Sequence, residues 1–189
     1  MRADAKNNHD RLLKVAHDVV TERGSNASMR DIARRANVGL ATLLRHFPTR
    51  EALFDALLQT NLDALTQKAD ELEISNLPGE ALMSWFREWV VFVHSYSGAV
   101  TMLARAQYNP NSALYSSCAA VHKAGGRLLF RAQAEGTARS DLDEDELFAL
   151  MSAFGWAVEQ PSFAPRTDHL FHIFASAILT NRPSNDIKE

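Results

Sequence analysis

Apolar residues recur at three- and four-residue spacing along the whole chain, and nowhere do they alternate strictly with polar ones. A repeat of 3.6 puts such positions on one helix face, whereas a half-buried strand needs a repeat of two. The chain is therefore expected to be all-α. The first stripe is Leu12, Leu13, Ala16, Val19 and Val20 in a helix over 9–23, with Gly24 as its C-terminal cap. Ser28 opens a second helix over 29–36, with Asp31 in its first turn and Ile32, Ala33 and Ala36 facing inward. Asn37 tolerates the left-handed backbone of a tight turn. A third short helix spans 40–46, Pro48 ends it, and Thr49 caps a long fourth helix over 50–72. Leu53, Phe54, Leu57, Leu58, Leu62 and Leu65 give that helix one apolar stripe, as a connector between a small head and a larger body requires. After the break at 76–79 the spacing predicts five more helices, at 79–95, 98–107, 111–135, 143–160 and 166–182.

Charge divides along the same line. The 189 residues carry a net charge of −3, but residues 1–59 hold ten Lys/Arg against seven Asp/Glu, and the remainder ten against sixteen. A basic end on an acidic body is the asymmetry of a chain that meets phosphates at one end. Cys118 is the only cysteine, so neither an intrachain disulfide nor a Cys-rich metal site can form. The N-terminus is polar with no apolar run behind it, and 89–93, the longest nearly unbroken apolar run, is far too short for a bilayer. A soluble, cytoplasmic protein with no membrane partner and no cofactor is expected.

Three short helices in the first quarter, the second and third joined by a tight turn, describe a helix-turn-helix, which lays its third helix in the major groove of DNA. Ala36-Asn37-Val38 is the turn and Val38 its apolar plug. Leu43 and Phe47 face inward, while Ala41, Thr42 and Arg45 face DNA. From Arg11 to Leu58 the chain resembles the DNA-binding domain of the tetracycline-repressor (TetR) family. The resemblance lies in Gly24, Asp31-Ile32-Ala33, Ala36-Asn37-Val38, Arg45-His46-Phe47-Pro48 and Glu51-Ala52-Leu53.

By position, that resemblance implies phosphate contacts from Ser28 and Arg30, and Leu40, Ala41 and Thr42 in the groove. Thr42 would hydrogen-bond a base or phosphate, and Ala41 would meet a thymine methyl. Arg45 and His46 would lie beside the backbone, and Thr49 and Arg50 at a helix start that faces a phosphate. Three positions depart from the family pattern. Leu44 stands where a phosphate-binding tyrosine is common, Gly39 where a serine cap is frequent, and Arg50 where lysine is usual.

The resemblance divides the chain into a DNA-binding domain at 9–58 and an effector-binding and dimerisation domain at 59–183. It implies a homodimeric regulator, acting as a repressor on a palindromic double-stranded DNA operator and released by a small-molecule effector. The last two helices would dimerise, through Leu147, Leu150, Met151, Phe154 and Val158 on one, with Gly155 permitting close approach, and Phe171, Phe174, Ala175 and Ile178 on the other, as a four-helix bundle. The effector would be held by Trp85, Trp89, Phe92, Tyr96, Met102 and Tyr108, with Cys118 and His122 as polar points. Phe86, Leu103 and Phe130 could add apolar wall, and Gly125-Gly126 would permit tight packing or a kink.

Two other classes stand beside this reading. Cys118 and His122, four residues apart on one helix face, could act as nucleophile and base in a small all-helical enzyme, and His169 and His172 could bind a metal, although no third ligand is evident. The chain could also be a protein-interaction module with no DNA target, a reading that the basic residues around the turn oppose.

Overall fold

The computed structural model describes residues 2–23, 27–74, 77–96 and 98–180, with side chains from residue 7 onward. Gly24, and the last residues of the helix expected to reach 182, lie outside them. Among the described residues there are nine α-helices: α1 (Arg2–Arg23), α2 (Met29–Arg35), α3 (Leu40–His46), α4 (Arg50–Leu72), α5 (Pro78–Ser95), α6 (Ala99–Ala106), α7 (Tyr115–Ala134), α8 (Glu144–Glu159) and α9 (Thr167–Ile178). An isolated antiparallel bridge, Ala138 to Leu179, is the only β pairing among them, and none of these helices is long and apolar enough to cross a membrane.

Element order matches the spacing argument, and the boundaries move for local reasons. α1 begins seven residues earlier than expected, because residues 2–8 contain neither glycine nor proline to stop it. α7 begins at Tyr115 rather than 111. The Asn109 side chain accepts from the Asn111 N–H at 3.1 Å, and the Asn109 carbonyl accepts from the Ser112 N–H at 2.9 Å, which commits those residues to a turn. α9 stops at Ile178. The Thr180 N–H bonds the Thr137 carbonyl and the Arg139 N–H bonds the Ile178 carbonyl, so the chain leaves helix to pair with the loop after α7.

The helix starts are capped where the sequence supplies a cap. Ser28 Oγ accepts from the Asp31 N–H at 3.1 Å, and Thr49 Oγ1 from the Ala52 N–H at 3.0 Å. Asp143 and Glu146 close a reciprocal capping box on α8.

α4 ties head to body. It packs on α1, and further along on α5 and α7. Trp85 Nε1 donates to the Leu65 carbonyl at 2.9 Å, and Ser117 Oγ to Asp63 at 3.1 Å. Arg127 pairs with Asp70 at 2.5 Å and with Glu73. The centre of the body is aromatic: Phe86 stacks on Trp89, Phe171 and Phe174 and meets Phe154 edge-on at 5.2 Å. Two glycines make this packing possible by close approach. A Cβ on Gly125 would lie 2.6 Å from the ring of Trp85, and one on Gly155 would lie 2.5 Å from the ring of Trp89. Gly125 is therefore a packing glycine inside an unbroken α7.

Candidate nucleic-acid interface and ligand cavity

In the head, each helix has spent its apolar stripe on the interior. Leu12, Ala16, Val19, Val20, Ile32, Ala33, Ala36, Leu43 and Phe47 are all buried. Asn37 has φ +52°, the left-handed turn its short side chain allows, and the Val38 N–H closes that turn on the Ala33 carbonyl at 3.0 Å. α3 is thereby held across the end of α2, with Leu43 as its inner anchor.

What remains outside is polar. Ser28, Arg30, Ala41, Arg45, Thr49 and Arg50 are exposed, and Leu40, Thr42 and His46 half-buried. Several groups are set by neighbours. Arg45 donates to Thr42 Oγ1 at 3.1 Å. Arg50 lies over the Phe54 ring, 4.9 Å from its centroid. His46 Nε2 lies 3.3 Å from Asn8 Nδ2, which fastens this histidine to α1 in the free protein.

Other head cations are committed within the head. Arg35 chelates Glu22, Arg23 and Arg34 each reach Asp31 at 3.2 Å, and Arg11 donates to the Ala36 carbonyl. The Ser28 hydroxyl, and after it Arg23 and Arg34, hold the Asp31 carboxyl below the usual carboxylate range. Such exposed pairs contribute little stability, but they fix where the remaining charge sits.

In the body, α6, α7 and α8 surround a cavity of about 440 Å³. Of the residues expected from sequence, Trp89, Leu103, Tyr108, Cys118 and His122 line it. Trp85, Phe86, Phe92, Tyr96, Met102 and Phe130 do not. Trp85 is fully buried with its N–H on the Leu65 carbonyl. Phe92 and Tyr96 are buried and pack on each other at 5.7 Å. Phe130 is 71% exposed, in a shallow groove across α7.

The walls that sequence reasoning missed include Leu62, Val100, Tyr115, Lys123, Glu144, Asp145 and Phe148. Tyr115 was within reach, since it lies on the stripe of Cys118 and His122. Phe148 and the acidic pair enter from α8, and only tertiary structure brings them there. His122 stacks on Phe148 at 4.3 Å and lies 3.1 Å from Asp145 Oδ1. Burial pushes the Cys118 thiol up to about 11.

Tyr96 has a different place from the one expected. Its hydroxyl lies 2.5 Å from His17 Nδ1 of α1 and accepts from Asn61 Nδ2 of α4 at 3.1 Å. Head, connector and the end of α5 therefore meet at one phenol, which burial keeps protonated above its ordinary range.

The residues expected at the dimer face lie mostly in the interior of the single chain. Leu147, Met151, Phe154, Gly155 and Val158 of α8 and Phe171 and Ile178 of α9 are buried within a single chain, with Phe174 and Ala175 half-buried against them. α8 is apolar on two sides, and these residues form the inner one: Gly155 seats Trp89, and Phe154 meets Phe86. The outer side carries Ala149, Leu150, Ala153 and Trp156, the last 57% exposed, and on α9 Ile173 is 53% exposed beside Ala177. His169 and His172 are exposed, and no group of three His, Cys, Asp or Glu side chains able to hold a metal occurs among the described residues.

Residues 12–57 match the family of bacterial regulatory proteins named tetR, and residues 77–178 match the C-terminal domain of SbtR-like transcriptional regulators. Over 64 residues the chain is 41% identical to an HTH-type transcriptional regulator of Staphylococcus aureus, a stretch amounting to 33% of this chain and 35% of that protein. The chain thus spans about a third of the length of the curated relatives it matches. The structure of a TetR transcription regulatory protein from Mycobacterium vanbaalenii, 31% identical, aligns over 95% of this chain and 99% of that one with a TM-score of 0.68. A transcriptional regulator from Saccharomonospora viridis in complex with choline, 19% identical, shares the fold with a TM-score of 0.70 over 93% and 99%. Matched over both its head and its body, the chain belongs to the TetR family of transcriptional regulators.

Proposed function

We propose that this chain is a homodimeric DNA-binding transcriptional regulator that represses from a palindromic operator and is released by a small molecule held in its body. The observation that carries this reading is the helix-turn-helix itself: α3 anchored through Leu43, with Arg30, Ala41, Arg45, Thr49 and Arg50 on the exposed side. Ser28, Leu40, Thr42 and His46 border the same face. Arg30, Arg45 and Arg50 supply phosphate contacts, and the exposed residues of α3 enter the major groove. One helix in one groove makes too few contacts for useful specificity, so two copies read two half-sites. The outer face of α8 and α9, from Leu150 and Trp156 to Ile173, joins the copies as a four-helix bundle, because water-exposed aromatic and aliphatic side chains gain by mutual burial. Repression and a cytoplasmic location follow the family pattern.

The cavity supports the effector. Its walls are mainly apolar and aromatic, with His122, Glu144 and Asp145 as polar points, the composition of a small-molecule site. A protein of the same fold has been solved in complex with choline, which is in keeping with a small-molecule effector. α6 lines the cavity through Val100 and Leu103, and its first residue follows closely on Tyr96, the phenol that joins His17 and Asn61. A ligand that shifts α6 changes that junction and with it the spacing of the two heads, which is the differential contact allostery needs.

The enzyme reading loses its chemistry here. A thiol pushed up to about 11 by burial is protonated at neutral pH, so Cys118 is a poor nucleophile even with Asp145 beside His122.

The test is selection of bound duplexes from a random pool, at two salt concentrations. A two-fold symmetric motif whose affinity falls steeply with salt is the expected result. Binding with no sequence preference at either salt would overturn the reading.

A further inference from the structure

Among the described residues of α1, α2 and α3, Leu44 is the one large apolar side chain exposed to water, at 38%. It lies on the outer face of α3, three residues from Ala41, which is also exposed. Side chains at that spacing are neighbours on a helix. Every other large apolar residue of these helices has been drawn inward or half inward, so Leu44 is not surplus core. The hydrogen-bonding groups around it are few. Of the three exposed residues of α3, only Arg45 has a polar side chain, and it already donates to Thr42 Oγ1. His46 is held by Asn8. α3 thus presents an apolar pair with a cation beside it, where base-reading helices commonly present amides or guanidinium forks.

The floor of the major groove has one apolar feature, the 5-methyl group of thymine. We propose that Leu44, together with Ala41, reads thymine methyl groups, so that the operator preference at the centre of each half-site is set by apolar contact rather than by hydrogen bonds. This rests on the DNA-reading role proposed above and gives that role a base identity. The cations around the pair hold the backbone on either side: Arg30 at the start of α2, Arg45 on α3 and Arg50 at the start of α4. They bring the duplex close without specifying sequence. A side chain that lay along a sugar or phosphate instead would be blind to the methyl group.

The experiment uses the full chain and the duplex enriched by selection. Each thymine of one half-site is replaced in turn by deoxyuridine, which removes only the methyl, and affinity is read by fluorescence anisotropy for the native chain and for Leu44→Ala. At one or two positions the native chain should lose about three- to fivefold on removal of a methyl. Leu44→Ala should bind the two duplexes within about 1.5-fold of each other at one of those positions, on the same scale. Leu44→Met, which keeps apolar reach and volume, should retain the discrimination and guards against misreading a folding defect. Equal binding of thymine and deoxyuridine at every position would overturn the inference while leaving the DNA-reading role intact, as would full discrimination by Leu44→Ala. Failure of the pool to enrich any sequence would overturn both.

Discussion

In the head, α1, α2 and α3 each have one apolar stripe, and folding uses nearly all of it: Leu12, Val19, Ile32 and Leu43 are buried, and among their described residues Leu44 alone of the large apolar side chains stays exposed. In the body, α8 is apolar on two sides. Met151, Phe154 and Val158 point into the chain, while Leu150 and Trp156 point out of it. The difference separates two kinds of surface. A head that hides its apolar residues meets a charged, hydrated partner and can release it. A body that keeps a second apolar face is suited to a permanent neighbour, which the proposed second copy would supply by symmetry. The two regions also differ in tolerance. Head glycine Gly39 has open space around its missing side chain, whereas body glycine Gly155 has a tryptophan against it.

That contrast yields graded expectations. The largest effect on stability falls on the inner face of α8: Phe154→Ala should destabilise the fold by roughly 3–5 kcal/mol, read by denaturant or thermal unfolding. Trp156→Ala, two residues further on, should leave unfolding of the single chain almost unchanged and weaken self-association. Comparable losses of folding stability from both would erase the distinction between the faces.

Gly155→Ala comes next. Its added methyl would lie within 3.0 Å of Trp89 and Val100 atoms, both in the core. The better helix propensity of alanine only partly offsets that overpacking, so a net loss of roughly 1–2 kcal/mol is expected, a fall in Tm of several degrees. The smallest effect has the opposite sign. Gly39 caps α3 with no side-chain hydrogen bond, and its φ of −67° and ψ of 147° suit any residue. Gly39→Ser should therefore stabilise by a few tenths of a kcal/mol, detectable as a slight rise in Tm. A destabilising serine would mean that the start of α3 is more crowded than its geometry indicates.

Element order, the turn at Asn37 and the caps at Ser28 and Thr49 were legible in the sequence, because each depends on a few consecutive residues. The inward residues of the head were legible too, since a helix with one apolar stripe leaves no choice of face. The body was harder for the same reason in reverse. α8 offers two apolar faces, and periodicity cannot say which one meets Trp89 and Phe86. Phe154 and Gly155 were accordingly assigned to an interface together with Leu150, while Trp156, the most exposed of them, was not. The cavity was half legible. Cys118 and His122 share a stripe on α7, but Phe148, Glu144 and Asp145 reach it only because α8 folds back over that stripe. Tyr96 was misplaced because aromatic spacing along α5 reports burial and not the partner of a hydroxyl. Its link to His17 and Asn61 spans 79 and 35 residues.

The central claim is that two copies, joined through the outer face of α8 and α9, place two heads on one operator. Sedimentation velocity of the chain with a fluorescent duplex carrying the selected motif tests it most directly, with the native chain beside a Leu150→Asp, Trp156→Glu double variant. The account predicts two native chains per duplex, and a folded monomeric variant whose affinity for the same duplex is at least about 100-fold weaker, the gain that linking two modest sites supplies. A variant that still dimerises and still binds the duplex at native strength would contradict it.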